Sequence, residues 1–389
     1  MKILMINSVC GIRSTGRICT DLAVELEKQG HIVKIAYGRE NVPEQFKKYA
    51  VRIGNEIDVR LHAIKARMFD CSGFCSKSAT RKFIKWMQEY DPDVIHLHNL
   101  HGYYINIEML FRYLKSSNKK IVWTLHDCWP FTGHCAHFDF IGCNRWKDGC
   151  GNCKQKTEYP SSYFMDSSNK NWEKKKKIFS DIKNLTVVVP SKWLRGLVEE
   201  SFLKSYPIKV INNGIDLNIF KPTVSDFKRN KSIEDKKVVL GVASTWSKKK
   251  GIDDFFKLRN RLDLNYVIVL VGISKDEIKN APNGVLLISK TNDTKELAEI
   301  YSASDYFVNM TYEDNYPTTN LEAQACGTPC ITYRTGGSIE SVPNQNVVDK
   351  GDILDVVNLL QKQLSLNTSI SDRNDMLRKY IELYYKQKN

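Results

Sequence analysis

Asp314 and Glu322 are two carboxylates placed eight positions apart at the mouth of a strand–loop–helix unit. The apolar run 306–310 (YFVNM) reads as a buried strand. A polar turn holding Asp314, Asn315 and Pro317 follows, and Thr318, Thr319, Asn320 and Glu322 open a helical segment that stops at Gly327. Pro329 then starts a second strand, 330–334 (CITYR). A helix N-terminus in such a unit offers free backbone N–H groups and the positive end of a dipole to an anion. Carboxylates beside it repel phosphate, so the chemistry they suit is hydrogen bonding to the hydroxyls of a sugar or a ribose. Two solvated acids flanking an ordinary helix cap is the other reading of the same spacing.

Four further groups carry reactive or ligating side chains. His126 and Asp127 close the apolar run 121–126 (IVWTLH), at the strand end where open α/β sheets bind ligands. His96 and His98 lie in an earlier run, 94–98 (VIHLH), alternating across a strand. Ser14, Thr15, Gly16 and Arg17 form a small-residue loop before a helical pattern at 18–28, where backbone can approach a phosphate or a sugar closely. Any strand–helix turn can carry the same residues. Cys150 and Cys153 stand at the knuckle spacing of a tetrahedral zinc site, and Cys135 and Cys143 complete four thiols. His134 and His137 are substitutes for Cys135. The remaining spacings are irregular for a zinc finger, and a loop of reduced thiols packed with Trp129, Phe131, Phe138 and Trp146 is the competing reading.

Strands and helices must hold these groups, and the chain supplies them twice. Strands are expected at 2–7, 31–38, 94–98, 121–126 and 185–189, with helical patterns at 18–28 and across most of 57–90. Near-continuous apolar strands are those of a parallel sheet covered on both faces. Asp91-Pro92-Asp93 precedes such a strand and reads as a turn. Regularity lapses over 127–170, the cysteine-rich segment. The alternation restarts with strand 238–244, loop 246–251 (WSKKKG) and helix 252–262, then strands 266–272 and 284–290 and a helix at 295–302. A final helix is expected at 374–386. The boundaries drawn are 1–207 for a first domain with its insert at 127–170, 208–370 for a second, and 371–389 for a helix returning to the first.

The 389 residues suit two domains, and an apolar content of 42% can bury real cores. No apolar run approaches the roughly 20 residues of a membrane span. The N-terminus, broken by Asn7 and followed by Arg13 and Arg17, reads as a strand and not as an export signal, so secretion is not expected. Eleven cysteines, an odd number in that context, argue against a disulfide framework. Lys and Arg exceed Asp and Glu by 58 to 44, a net charge of +14. That balance fits nucleic acid, an anionic membrane surface or a phosphate-rich substrate. The lysines are spread along the chain, whereas a nucleic-acid binder gathers them on one module with aromatics between. Segment 57–90 interleaves basic residues with Leu61, Ile64, Met68, Phe83, Ile84 and Trp86, which suits either an anionic lipid surface or a helix packed by one face.

The stretch 313–340 resembles the signature of retaining glycosyltransferases of family 4, a Glu-x₇-Glu pair followed by E-A-x-A-x-G-x-P-V. Here Asp314 takes the place of the first acid, Glu322, Ala323, Ala325, Gly327 and Pro329 match, and Cys330 replaces the usual valine. Residues 208–222 match the family's inter-domain N-G-[IV]-D-x₃-F-x-P, Lys250-Gly251 its K-G, and Thr124 to Asp127 its T-x-H-D. The arginine that usually precedes the lysine by five or six positions is absent, Thr245 and Ser244 standing there, with Lys248 and Lys249 nearby.

The resemblance implies an α/β GT-B fold, two Rossmann-like domains facing across a cleft, and a hexosyltransferase retaining anomeric configuration. It implies a UDP- or GDP-sugar donor, with Glu322 on the ribose and Lys250 and Lys249 at the diphosphate. Asp314, Asn315, Tyr316, Pro317, Thr318 and Thr319 would surround the sugar, His126 would contact it, and the loop of Thr15 and Gly16 would face the donor. No cofactor is needed for catalysis, and a structural zinc at Cys135, Cys143, Cys150 and Cys153 would only shape the insert. The acceptor expected is an undecaprenyl-diphosphate-linked oligosaccharide of bacterial surface-polysaccharide synthesis, met at the inner face of the cytoplasmic membrane. A GT-B nucleotide-sugar epimerase or hydrolase, and a basic metal-containing nucleic-acid-binding protein, are the alternatives.

Overall fold

A computed structural model describes residues 1–273, 278, 281–367 and 369–385; Lys386, at the end of the expected last helix, lies outside them. The chain divides into two compact units, Met1–Ile211 with Leu377–Asn389, and Asn212–Met376. The first comprises β1 (Lys2–Ile6), α1 (Arg13–Lys28), β2 (Ile32–Tyr37), β3 (Ala50–Arg52), α2 (Glu56–Phe69), α3 (Lys77–Tyr90), β4 (Val94–Leu97), α4 (Ile107–Ser116), β5 (Lys120–Thr124), α5 (Ser168–Phe179), β6 (Leu185–Val189), α6 (Lys192–Glu200) and β7 (Ile208–Val210). The second comprises α7 (Phe227–Asn230), β8 (Lys237–Val242), α8 (Ile252–Arg259), β9 (Tyr266–Val271), β10 (Val285–Ile288), α9 (Thr294–Ala303), β11 (Tyr306–Asn309), α10 (Thr318–Ala325), β12 (Cys330–Tyr333), β13 (Val347–Val348) and α11 (Ile353–Leu360). A last helix, α12 (Arg373–Tyr385), starts in the second unit and belongs to the first from Leu377 onward.

Each unit is a parallel sheet wound on both faces. The strand orders are β3-β2-β1-β4-β5-β6-β7 and β10-β9-β8-β11-β12-β13, and every named pairing is parallel, as in Ile3 against Val94 and Val238 against Val267. The order reverses between β1 and β4 in one sheet and between β8 and β11 in the other. Ligands of doubly wound sheets bind outside the carboxyl ends of the strands at such a reversal. Full burial of β4 and β9 is what continuous apolar strands require when helices cover both faces.

Local chemistry sets the helix ends. Asn55 caps α2 in a reciprocal capping box with Asp58. Gly327, at φ +87°, ends α10 in a conformation that side chains with a Cβ resist. In two places the elements differ from those read in the sequence. α1 begins at Arg13, so Thr15 and Gly16 sit in its first turn and not in a loop before it. The segment 57–90 is two helices, broken after Asp70, whose backbone enters the left-handed region at φ 51°. The Asp91–Asp93 stretch is the expected turn, with Asp93 accepting from the Lys2 backbone at 2.7 Å.

The irregular segment after β5 is packed into the first unit's core. Phe131, Phe138 and Trp146 are buried with Trp129, and the rings of Phe138 and Trp146 stack at 5.1 Å. Lys175 of α5 is buried beneath it and donates to the carbonyls of Trp129 (2.8 Å) and Thr132 (3.0 Å). Its ammonium lies 3.4 Å from the centre of the Trp129 ring. Burial pushes the Lys175 pKa down to about 7.

Candidate active site

In the second unit the loops that leave β8 and β11 meet. Gly251 adopts φ +76°, and a Cβ there would lie 2.3 Å from the Met310 carbonyl oxygen, so only glycine allows this approach. The contact is held by the Tyr312 N–H donating to the Lys249 carbonyl at 2.8 Å. Below it, the buried Asp254 accepts from the hydroxyls of Tyr312 (2.6 Å) and Tyr333 (3.0 Å). Burial opposes ionisation of Asp254, but those hydrogen bonds and Lys257 hold its pKa below the ordinary carboxylate value.

This junction brings two lysines to two acids. Lys250 Nζ lies 2.9 Å from Asp314 Oδ2, and Lys249 Nζ 3.4 Å from the buried Glu313. Asp314 is oriented further by the Tyr316 N–H at 3.3 Å, and its own carbonyl accepts from the Gly337 N–H at 3.2 Å. Asn315 and Tyr316 are buried, and the Tyr316 carbonyl accepts from Asn213 at 3.1 Å. Pro317 is the N-cap of α10 without a side-chain cap bond, and Thr318 and Thr319, both half-buried, are the helix's first residues. Glu322 lies one turn further, where the buried Tyr301 hydroxyl donates to its Oε2 at 3.1 Å. Burial first, and the Glu322 charge second, drive the Tyr301 pKa well above the usual phenol value, so it remains a donor.

Asn320 ties this helix to the next turn. Its amide nitrogen donates to Ser338 (3.1 Å) and Ser341 (2.9 Å), and its oxygen accepts from Asn309 at 2.7 Å. Glu313, Tyr301 and Asn320 went unassigned in the sequence. Glu313 is adjacent to Asp314 in the sequence, which was its one signal. Tyr301 and Asn320 gave none, because their partners are distant in the chain.

The first unit has its own polar group at the carboxyl ends of β4 and β5. His126 is half-buried, and its Nε2 shares a 3.0 Å hydrogen bond with His98 Nδ1, the two rings lying at 11°. Burial lowers the His126 pKa to about 4 and that of His96 to about 3, so both are neutral at physiological pH. His96 is tied to Tyr384 of α12 at 2.6 Å and to Thr124 at 2.8 Å, which makes it structural. His101 lies between two partners, its Nε2 2.7 Å from Asp127 Oδ2 and its Nδ1 3.0 Å from the Tyr159 hydroxyl. Burial alone would raise the Asp127 pKa, but His101 and the Trp129 N–H hold it down to about 2. Thr15 accepts from Asn7 at 3.3 Å. Gly16 is buried, with Val9 and Gly11 close to where a Cβ would sit, so its smallness lets the β1–α1 turn pack.

The four cysteines of the insert do not form a closed shell. Among the described residues no three His, Cys, Asp or Glu side chains are arranged to hold a metal ion. The Cys135 thiol hydrogen-bonds to Cys153, which lowers the Cys153 pKa to about 7, and Cys150 Sγ accepts from the Gly133 N–H at 3.2 Å. His134, the proposed substitute ligand, is held by Asp70 at 2.5 Å. The insert holds its thiols through the Cys135–Cys153 contact, the Gly133 N–H and aromatic packing.

Residues 15–219 match the family model described as Glycosyltransferase Family 4, and residues 224–382 that described as Glycosyl transferases group 1. The chain is 25% identical over 382 residues to WcaC of Escherichia coli K12, a glycosyl transferase ascribed to colanic acid biosynthesis, covering 94% of this chain and 91% of that protein. It is 28% identical over 185 residues to the Escherichia coli UDP-Gal:alpha-D-GlcNAc-diphosphoundecaprenol alpha-1,3-galactosyltransferase, which spans 42% of this chain and 46% of that one. Among solved structures, Anabaena Alr3699/HepE in complex with UDP and glucose superposes with a TM-score of 0.62 at 15% identity, covering 92% of this chain and 89% of that one.

Proposed function

The chain belongs to glycosyltransferase family 4 and is a hexosyltransferase of the GT-B fold, and from that premise we propose that it moves a sugar from a UDP- or GDP-sugar to an undecaprenyl-diphosphate-linked acceptor with retention of configuration. The site of action is the inner face of the bacterial cytoplasmic membrane, in synthesis of a surface polysaccharide. The observation that carries this proposal is the pairing of Lys250 with Asp314 at 2.9 Å beside the uncapped start of α10. Relatives acting on a diphosphoundecaprenol-linked sugar support the acceptor class, and one of them names a UDP-sugar.

In this mechanism the diphosphate takes Lys250 away from Asp314 and leaves the carboxylate to accept from a sugar hydroxyl. Glu322, aimed by Tyr301, accepts from the ribose. Negative charge grows on the leaving diphosphate as the glycosidic bond breaks, and a lysine with the N–H groups of α10 can stabilise it because both are already in place. A donor phosphate oxygen takes the proton of the acceptor hydroxyl, so no protein nucleophile is required. Calorimetry with free UDP and GDP should show binding to at least one of them. A donor panel with a diphosphate-lipid acceptor should yield one transferred sugar, its anomeric centre assigned by NMR. Absence of nucleotide binding together with no donor consumption would refute the assignment.

A further inference from the structure

Helix α2 is apolar on two opposite faces. His62 and Ala66 are buried and Val59 packs on the core, as a surface helix requires. Yet Ile57, Leu61, Ile64 and Met68 are exposed, Ile57 at 67%. At about 100° per residue these four fall in a stripe about 60° wide, on the side roughly opposite His62 and Ala66. Phe69, the last residue of α2, is also exposed but lies off the stripe.

A second segment extends the patch. Tyr163, Phe164 and Met165 are all exposed, Phe164 at 75%. They are held against α2 by the Tyr163 N–H donating to the Arg67 carbonyl (2.8 Å) and the Met165 N–H to that of Met68 (3.3 Å). Ser162 donates to the Met165 carbonyl at 2.7 Å, and Ser167 to that of Phe69 at 3.0 Å. The apolar tip is therefore a built ridge. Contiguous apolar surface of this kind marks a docking site.

Charge selects the occupant. At the same pitch of about 100° per residue, Arg60 and Arg67 border the stripe on one side and Lys65 on the other; all three are exposed. The acids of α2 are confined to its first turn, where Asp58 closes the capping box and Glu56 pairs with Arg52. A second copy of this ridge would set those cations against themselves. A helix lying in a lipid–water interface has this pattern, apolar residues inward and lysine or arginine at the headgroups.

We propose that α2 and segment 163–165 form one anionic-lipid docking surface, with Ile57, Leu61, Ile64, Met68 and Phe164 entering the bilayer and Arg60, Lys65 and Arg67 meeting its headgroups. This deepens the functional proposal, which places the acceptor in a membrane. α3, which the interleaved sequence pattern also implicated, is excluded because Phe83 and Met87 are buried in the core.

Sedimentation with vesicles of phosphatidylcholine, alone or with about a third phosphatidylglycerol, tests it with the full chain. The wild type should bind the anionic vesicles and be released as salt screens the headgroups. A triple variant, Leu61→Ser, Ile64→Ser and Phe164→Ser, should bind at least tenfold more weakly at low salt while keeping the wild-type melting temperature and transfer to a water-soluble short-chain acceptor. Arg60→Glu with Arg67→Glu should abolish the preference for anionic over neutral vesicles. Wild-type vesicle binding by the triple variant, no binding by the wild type at low salt, or a wild-type dimer that the triple variant dissolves would each overturn the surface. Vesicle binding without transfer to the soluble acceptor would instead count against the transferase proposal and leave the surface standing.

Discussion

Replacing Asp314 by asparagine should strengthen binding of the free nucleotide and weaken transfer, two effects of opposite sign from one change. Lys250 is paired with Asp314 at 2.9 Å, with the lysine side chain 37% and the aspartate 22% exposed. An ion pair this accessible to water contributes about 0–1 kcal/mol. A diphosphate must compete for Lys250 at that cost, and Asp314→Asn removes the competitor together with a like charge near the phosphates. UDP or GDP should then bind up to about fivefold more tightly, since 1.4 kcal/mol corresponds to about tenfold. Transfer loses a charge-assisted hydrogen bond to the sugar, about 1.5–3 kcal/mol, so kcat/KM should fall about 10- to 150-fold. Lys250→Ala is the control, expected to weaken nucleotide binding and transfer together. Calorimetry and initial rates on the three proteins measure both quantities. If Asp314→Asn weakens nucleotide binding as Lys250→Ala does, or leaves kcat/KM untouched, the pair does not work as a switch between sugar and diphosphate.

Glu322→Gln should weaken donor and free-nucleotide affinity by about 1–3 kcal/mol, and Tyr301→Phe should reproduce part of that loss because it frees the aimed oxygen; calorimetry at matched temperature compares them. His126→Ala should lower kcat by about tenfold or more with little change in the donor KM, and a folded variant with wild-type kinetics would remove His126 from the site. Lys175→Met should flatten the pH dependence of stability. The wild-type lysine is charged in both states below pH 7, but between its folded value near 7 and the ordinary 10.5 the folded state binds fewer protons. Stability should therefore rise with pH across that window by up to about 1.4 kcal/mol per pH unit in the wild type and not in the variant. Urea unfolding at pH 6.5, 7.5 and 8.5 decides it, equal slopes for the two proteins contradicting the buried-lysine account.

The sequence by itself determined the architecture and the family. Continuous apolar strands can only be buried between helices, so the parallel sheets followed from residues such as Val94–Leu97 and Tyr266–Val271. The Asp314–Glu322 spacing and Lys250-Gly251 are local, and local patterns survive being read as a string. Tertiary structure alone decided what those residues touch. Lys250 and Asp314 are 64 positions apart, and their meeting depends on Gly251 letting one loop lie against another. Thiol spacing likewise fixes only how close Cys150 and Cys153 are along the chain, whereas a zinc shell needs four directions to converge, which an irregular loop does not guarantee. Helix α2 is the sharpest case. Its periodicity shows apolar residues on two faces, and nothing in a string of residues says which face the rest of the chain will cover. His62 faces inward because its ring meets Ser76 at 2.8 Å and the Gly73 N–H at 3.2 Å, partners 14 and 11 positions away, and Leu61 and Ile64 on the other face stay exposed.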